Sequence, residues 1–203
     1  KIEEVEESKY NKISTIDKLT AGQYYMAAYL TSYEDTSNNT THDWTATPYH
    51  LWTGAINSGD LDTADYSYNE GVLTTASTTL AALVTLEAVS DKTNTYYIKC
   101  GNQYLYSTAS ATNRKLALSA NKVEWVAKNN TNGGITLSSN SVYLGSAGAA
   151  SRLLRSYKNE STLKAGVYFF AATDGEVTPE PEPEPEPTPE VKVATVAEFL
   201  AAA

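Results

Sequence analysis

Between Gln23 and Ala171 apolar residues recur at every second position in short runs, separated by Gly, Asn, Ser and Asp. Period-two alternation turns one face of an extended strand toward a core, and the intervening residue types favour turns. The pattern predicts strands near Gln23–Leu30, Tyr49–Ile56, Tyr66–Leu73, Leu80–Val89, Tyr96–Cys100 and Gln103–Tyr106. Further strands are predicted near Lys115–Ser119, Val123–Ala127, Gly134–Ser138, Val142–Gly145, Leu153–Tyr157 and Val167–Ala171. The stretch over residues 75–88, TASTTLAALVTLEA, is also compatible with a short helix, since Ala and Leu support one. Short strands at this spacing predict an all-β domain, either a barrel or a sandwich.

A weak internal repeat favours the barrel. Tyr96–Ala127 reads YYIKC, QYLYS, KLALS, VEWVA, and Gly134–Ala171 reads GITLS, VYLGS, LLRSY, VYFFA. The pairs Tyr104-Leu105 and Tyr143-Leu144 are 39 residues apart. Four short strands per unit of roughly forty residues, three times over, is the plan of a β-trefoil-like barrel of about twelve strands. The first unit fits less well, because residues 31–68 are longer and rich in turn residues. Another β-barrel or a sandwich is the alternative.

After the barrel the pattern stops. Residues 178–190, TPEPEPEPEPTPE, hold six of the seven prolines. Proline fixes φ and lacks an N–H, so neither helix nor sheet runs through such a stretch. Thirteen residues in polyproline II form extend over roughly 40 Å as a semi-rigid spacer. The last thirteen residues contain Thr195-Val-Ala-Glu198, a capping box, and Val196, Phe199, Leu200 and Ala203 fall on one helical stripe. A helix that short needs a partner. The expected organisation is a lead-in over 1–19, a β-rich domain over 20–175, the Pro/Glu linker over 176–190, and the truncated start of a second domain over 191–203.

The net charge of −9 divides unevenly along the chain. Residues 176–190 carry six glutamates and no base, and residues 1–7 carry four against one lysine. Subtracting these, and the Lys192/Glu198 pair, leaves thirteen bases and thirteen acids over 8–175, a balance of zero. A neutral body lacks the basic footprint that nucleic acid requires, so no nucleic acid is expected on residues 1–175. The single cysteine, Cys100, excludes an internal disulfide framework and reads as a buried inert thiol. No apolar run reaches membrane-spanning length and no signal-peptide pattern is present. A composition rich in Thr, Ser, Asn and Tyr suits an extracytoplasmic β-domain, and a monomer is expected.

Candidate chemistry is sparse. His42 and His50, with Glu34, Asp35 and Asp43 nearby, form neither HxxxH nor HExxH, and the run YEDTSNNTTHDW reads as a solvated turn. No nucleophile elbow or phosphate loop is present, so no catalytic residue is assigned and the chain reads as a non-enzyme. SGDLDTADYSYNEG places Asp60, Asp62 and Asp65 close together, the oxygen-rich composition that calcium uses, although the EF-hand register is missing. The alternative is a hydrophilic turn with no cofactor. Trp44, Tyr49 and Trp52, with Tyr29, Tyr33, Tyr66 and Tyr68, make the first third aromatic. Flat rings stack on sugar faces, so Trp44, Tyr49 and Trp52 are the candidate glycan contacts; the competing reading is core packing. Trp125, alternating within VEWVA, reads as core.

The run YYIKCGNQYLYS…KLALS…VEWVAKNNTNGGITLSSNSVYLGSAGAASRLLRSYKNE…VYFFAA resembles a module of secreted and surface-anchored proteins of gut Bacteroidetes. There a Tyr-x-Ile…Tyr-Leu unit, a tryptophan strand and a closing Arg-x-Tyr element make a trefoil-like domain. The tail VKVATVAEFLAAA looks like the opening of the OB-fold-like domain that often follows, sometimes beside nuclease or phosphatase-type catalytic domains. The resemblance implies an exported, lipid-anchored bacterial surface protein whose β-module carries no catalytic residues. The leading expectation is a non-catalytic binding or spacing module whose ligand is a glycan; the alternatives are a protein–protein adaptor, docking through the body or the Thr195–Ala203 helix, and an accessory domain of an extracellular nuclease or hydrolase. Asp62-Thr63-Ala64 matches the short pattern at which such bacteria O-glycosylate exported proteins, which makes Thr63 a candidate modification site.

Overall fold

The computed structural model describes residues 8–110, 113–148 and 153–173. The expected spacer and the expected opening of a second domain lie outside the described residues. Within them the chain is all-β. The first eight strands are β1 (Tyr10–Ile13), β2 (Gly22–Tyr29), β3 (Ser32–Asp35), β4 (Thr40–Asp43), β5 (Tyr49–Asn57), β6 (Asp60–Asn69), β7 (Val72–Thr74) and β8 (Leu83–Ala88). They are followed by β9 (Thr95–Cys100), β10 (Gln103–Ser110), β11 (Asn113–Ser119), β12 (Trp125–Asn129), β13 (Ile135–Ser139), β14 (Val142–Ser146), β15 (Leu154–Tyr157) and β16 (Tyr168–Ala172).

The strands close into an antiparallel barrel. Hydrogen-bonded neighbours run β1-β16-β2-β5-β6-β15-β14-β13-β12-β9-β10-β11, and β8 joins β2 to β9. Nine strands thereby form a closed circuit: β2, β5, β6, β15, β14, β13, β12, β9 and β8. One pairing scheme recurs. β2 pairs with β5 and β8, β9 pairs with β10 and β12, and β13 pairs with β14. An Ile135–Val167 bridge then ties β13 to the segment entering β16. The last strand of each group pairs with the first of the next, as β8–β9, β12–β13 and β16–β2.

Alternation along β2 shows how the sequence builds two apolar faces. Tyr24, Met26 and Ala28 enter the barrel core with Trp52, Ile98, Leu105, Trp125, Leu137, Leu144 and Phe169. Ala27 lies on the opposite face in a second cluster with Tyr49, Leu51, Tyr66 and Phe170, against which Tyr25 packs. The outer face of these strands therefore carries an apolar cluster of its own.

Two expectations are corrected, and one ambiguity is resolved in favour of the predicted strand near Leu80–Val89. The lead-in is partly sheet: β1 pairs with β16, and Ile13 and Leu19 enter the core. The strand predicted near Tyr66–Leu73 is two strands, because Glu70 (φ 49°) and Gly71 (φ 90°) turn the chain between β6 and β7. No helix forms over 75–88; its second half is β8, held between β2 and β9.

Candidate binding surface

Trp52 is the first sequence candidate to fail. It is 0% exposed, and its indole N–H donates to the Ala55 carbonyl at 2.8 Å across a bulge in β5. Tyr49 is 7% exposed and lies on the opposite face. Residues three apart on a strand point to opposite faces, so the two rings never share a surface. Trp125, expected in the core, is there, with its N–H on the Leu105 carbonyl at 2.9 Å.

Trp44 is half-buried beside the β3–β4 hairpin, which replaces the expected solvated turn. Its ring stacks on His42 (centroids 5.4 Å apart, 13° between planes), which stacks in turn on Tyr33 (6.2 Å, 22°). Trp44 also covers His50 edge-on at 4.8 Å. His50 is fully buried, with Nδ1 2.7 Å from Asp65 and Nε2 3.0 Å from the Leu30 carbonyl. An imidazole sealed from solvent and held at both nitrogens orders the hairpin base. Asp35 and Asp43 are likewise committed: each accepts from a backbone N–H and a hydroxyl two residues on, from Ser37 and Thr45. These bonds hold both carboxyls below their usual range.

The acidic run is not a loop but the front of β6, and its carboxylates diverge. Asp60 is buried against Arg155, Oδ2 to Nε at 3.2 Å, and Asp65 serves His50. Asp62 is half-buried near Thr63, which faces Trp52 in the β5–β6 ladder. Among the described residues no three acids, histidines or cysteines are grouped as a metal site requires, so the expected calcium ligands do not converge. Cys100 is half-buried rather than buried, and burial pushes its thiol up, which keeps it protonated.

The feature that the sequence missed is a tyrosine field on the outer face of β1, β16, β2, β5 and β6. Phe170 and Tyr49 form its floor, ring to ring at 5.2 Å and 89°. Tyr68 leans on Phe170 at 4.9 Å, and Tyr10 meets Tyr25 at 5.6 Å. Tyr29, 37% exposed, lies over Tyr49 at 5.0 Å and Tyr168 at 5.8 Å. Such tilted pairs are each worth about 0.5–1.5 kcal/mol beyond area burial, so the rings hold one another in place. Lys12 reaches in from β1 and donates to the Tyr49 hydroxyl at 2.9 Å, with its Nζ 5.4 Å and 5.8 Å from the Tyr49 and Tyr68 centroids. Burial raises the phenols of Tyr25 and Tyr168, which stay protonated as donors at neutral pH.

Other outward tyrosines carry paired cations. Lys122 lies over Tyr97 and Tyr104, 5.0 and 4.6 Å from their centroids, and binds Glu87 at 2.8 Å. Lys128 lies over Tyr143, 5.7 Å from its centroid, and binds Glu160. A wide groove of about 600 Å³ beside Tyr143 is lined by Val126, Ser138, Asn140 and Glu124, and it offers one ring against the several of the tyrosine field.

The Glu87 contact predicts a pH effect. The Lys122 hydrogen bond, helped by Tyr104, holds the Glu87 carboxyl below its usual 4.5. A depressed folded-state value stabilises above the unfolded value, and the gain disappears as pH falls through the folded one. Denaturant unfolding of parent and Glu87→Gln should therefore differ at pH 7 and converge as pH drops below about 4.5. A gap that persists or widens in acid contradicts the assignment.

No protein-family model, curated protein or solved structure matches this chain.

Proposed function

We propose that this chain is a non-catalytic glycan-binding module of an exported bacterial surface protein, and that glycan lies on the tyrosine field around Tyr29 and Tyr168. The observation that carries the reading is the outward face itself. Where a barrel ordinarily presents charged side chains to water, this one presents partly exposed rings layered on a buried aromatic floor. Rings fixed before binding lose little entropy on contact, and their hydroxyls supply hydrogen bonds beside flat apolar faces.

The thrice-repeated strand pairing supports a β-trefoil-like plan for the scaffold, with a six-strand ring of β2, β8, β9, β12, β13 and β16 closed by the Ile135–Val167 bridge. The export and lipid-anchoring part of the proposal rests on the resemblance of Tyr96–Ala171 to modules of secreted Bacteroidetes proteins. The same resemblance supports a spacing role ahead of a further domain.

A glycan array followed by affinity electrophoresis tests the binding claim. The parent retards on at least one polysaccharide, and Tyr29→Ala and Tyr168→Ala bind it about tenfold more weakly, the effect of losing one aromatic contact of about 1.4 kcal/mol. Trp44→Ala keeps the parent affinity. Absence of binding by the parent, or unchanged binding by both tyrosine variants, overturns the proposal.

A protein-adaptor role is the second reading, favoured by Leu80 and Leu83, apolar side chains 67% and 44% exposed ahead of and within β8. Loss of a pulled-down surface protein on Leu80→Ser/Leu83→Ser, with glycan binding intact, would support it.

A further inference from the structure

Lys12 differs from the other cations that lie over outward tyrosines. Lys122 and Lys128 each answer a glutamate, Glu87 and Glu160, so their charges are neutralised in place. Lys12 has no carboxylate partner among the described residues. Its described contacts are the Tyr49 hydroxyl and the faces of Tyr49 and Tyr68. An ammonium over ring faces keeps its charge, because the ring quadrupole attracts the cation without supplying a counter-ion. Burial alone would lower the Lys12 value; the Tyr49 hydrogen bond and the neighbouring Tyr49, Tyr168 and Tyr68 outweigh it and leave the group above its ordinary value. Lys12 is thus a fixed, fully charged donor with two further N–H groups to give.

The position of that donor is what matters. Tyr49, which accepts from Lys12, also supports both Tyr29 and Tyr168, at centroid distances of 5.0 and 6.1 Å. A saccharide ring stacked on Tyr29 and Tyr168 therefore has a positive charge at the border of its platform. We infer that the tyrosine field selects an anionic saccharide, a sugar bearing a carboxylate or sulfate, with Lys12 as the group that binds the acid. Rings take the apolar face of the sugar and the ammonium takes its charge. Tyr49 acts as a positioning residue, since its hydroxyl sets where the ammonium sits. This inference rests on the glycan reading above and narrows its ligand class.

Matched oligosaccharide pairs test it: a uronic-acid oligosaccharide beside its carboxyl-reduced form, and a sulfated oligosaccharide beside its desulfated form, titrated against the full chain. The acid member of a pair should bind about tenfold more tightly than its neutral partner, the size of one charge-assisted hydrogen bond at a partly exposed site. Added salt should shrink that preference. Lys12→Met should abolish the preference, so that both members of a pair bind alike, and Lys12→Arg should restore most of it. Tyr49→Phe, which keeps the ring and removes the acceptor, should weaken the preference for the acid member. Equal affinity for both members of every pair overturns the inference and leaves the glycan reading standing. An acid preference that survives Lys12→Met also overturns it. No binding to any member by a chain that binds another glycan on the array overturns the inference alone; no binding on the array either overturns both.

Discussion

Trp52→Ala lowers the free energy of unfolding by about 3–5 kcal/mol. The indole is fully buried among the residues of the barrel core, so its removal loses transfer energy and leaves a cavity that the surrounding strands fill only in part. It also frees the Ala55 carbonyl, whose bond from the indole N–H spans the bulge between Trp52 and Ile56 in β5. For a domain of this size the loss moves the melting temperature down by roughly 10 °C. Trp44→Ala, at a half-buried ring on the hairpin, costs about 1 kcal/mol. Urea unfolding of both variants measures the contrast. Equal small losses would place Trp52 at the surface, where a glycan contact needs it.

Gly166→Ala is expected to lower stability by about 3 kcal/mol and to loosen the barrel at one seam. A methyl group at Gly166 would lie 2.6 Å from the backbone carbons of Gly134 and Ile135, and nearer still to the Ile135 nitrogen. These atoms are main chain, so no side chain can turn aside to make room. The strands must part, and the bonds that tie β13 to the segment entering β16 sit at the same place: Ile135 N–H to Val167 O at 2.8 Å, Val167 N–H to Ile135 O at 2.7 Å, and Gly166 N–H to Gly133 O at 2.8 Å. Gly134 on the facing strand has φ +75°, a region open mainly to glycine, so the two backbones approach as closely as they do because neither carries a side chain there. Amide exchange reads the effect directly. Protection at Ile135 and Val167 should fall further than at Tyr25 or Leu86. Uniform loss across the barrel, or none, would contradict this view of the seam.

Most of the scaffold was legible in the alternation of apolar and polar residues. The repeats led by Tyr104-Leu105 and Tyr143-Leu144 occupy β10 and β14, each pairing back on the strand before it. Alternation reports only half-buried strands, which is why the rest escaped. The β3–β4 hairpin buries no side chain fully, and its half-buried side carries Tyr33, Asp35 and His42 rather than aliphatic residues, so YEDTSNNTTHDW shows no apolar alternation and read as a turn. Asp60 looked like a loop acid, because its partner Arg155 lies 95 residues away and no local pattern announces a buried ion pair. The candidate site was misread for a reason the sequence did contain. Tyr49 and Trp52 are an odd number apart on one strand and so belong to opposite faces. Tyr25, Ala27 and Tyr29 on β2, Tyr49 and Leu51 on β5, and Tyr66 and Tyr68 on β6 share one parity within each strand, which a face-by-face reading would have gathered. What no periodicity could supply is the neighbourhood of Lys12, since β1 reaches β16 from the other end of the domain.

The central claim is that the outer tyrosine face, rather than the tryptophans, meets ligand. Tyrosine-ring and indole N–H NMR shifts, followed as the saccharide selected by the array is titrated into the chain, address it most directly. The rings of Tyr29, Tyr168 and Tyr49 should move first and furthest, while the Trp52 and Trp125 indole signals stay in place. Movement centred on Trp44 and His42, or on Tyr143 beside its groove, with the Tyr29 and Tyr168 rings unchanged, would contradict the claim.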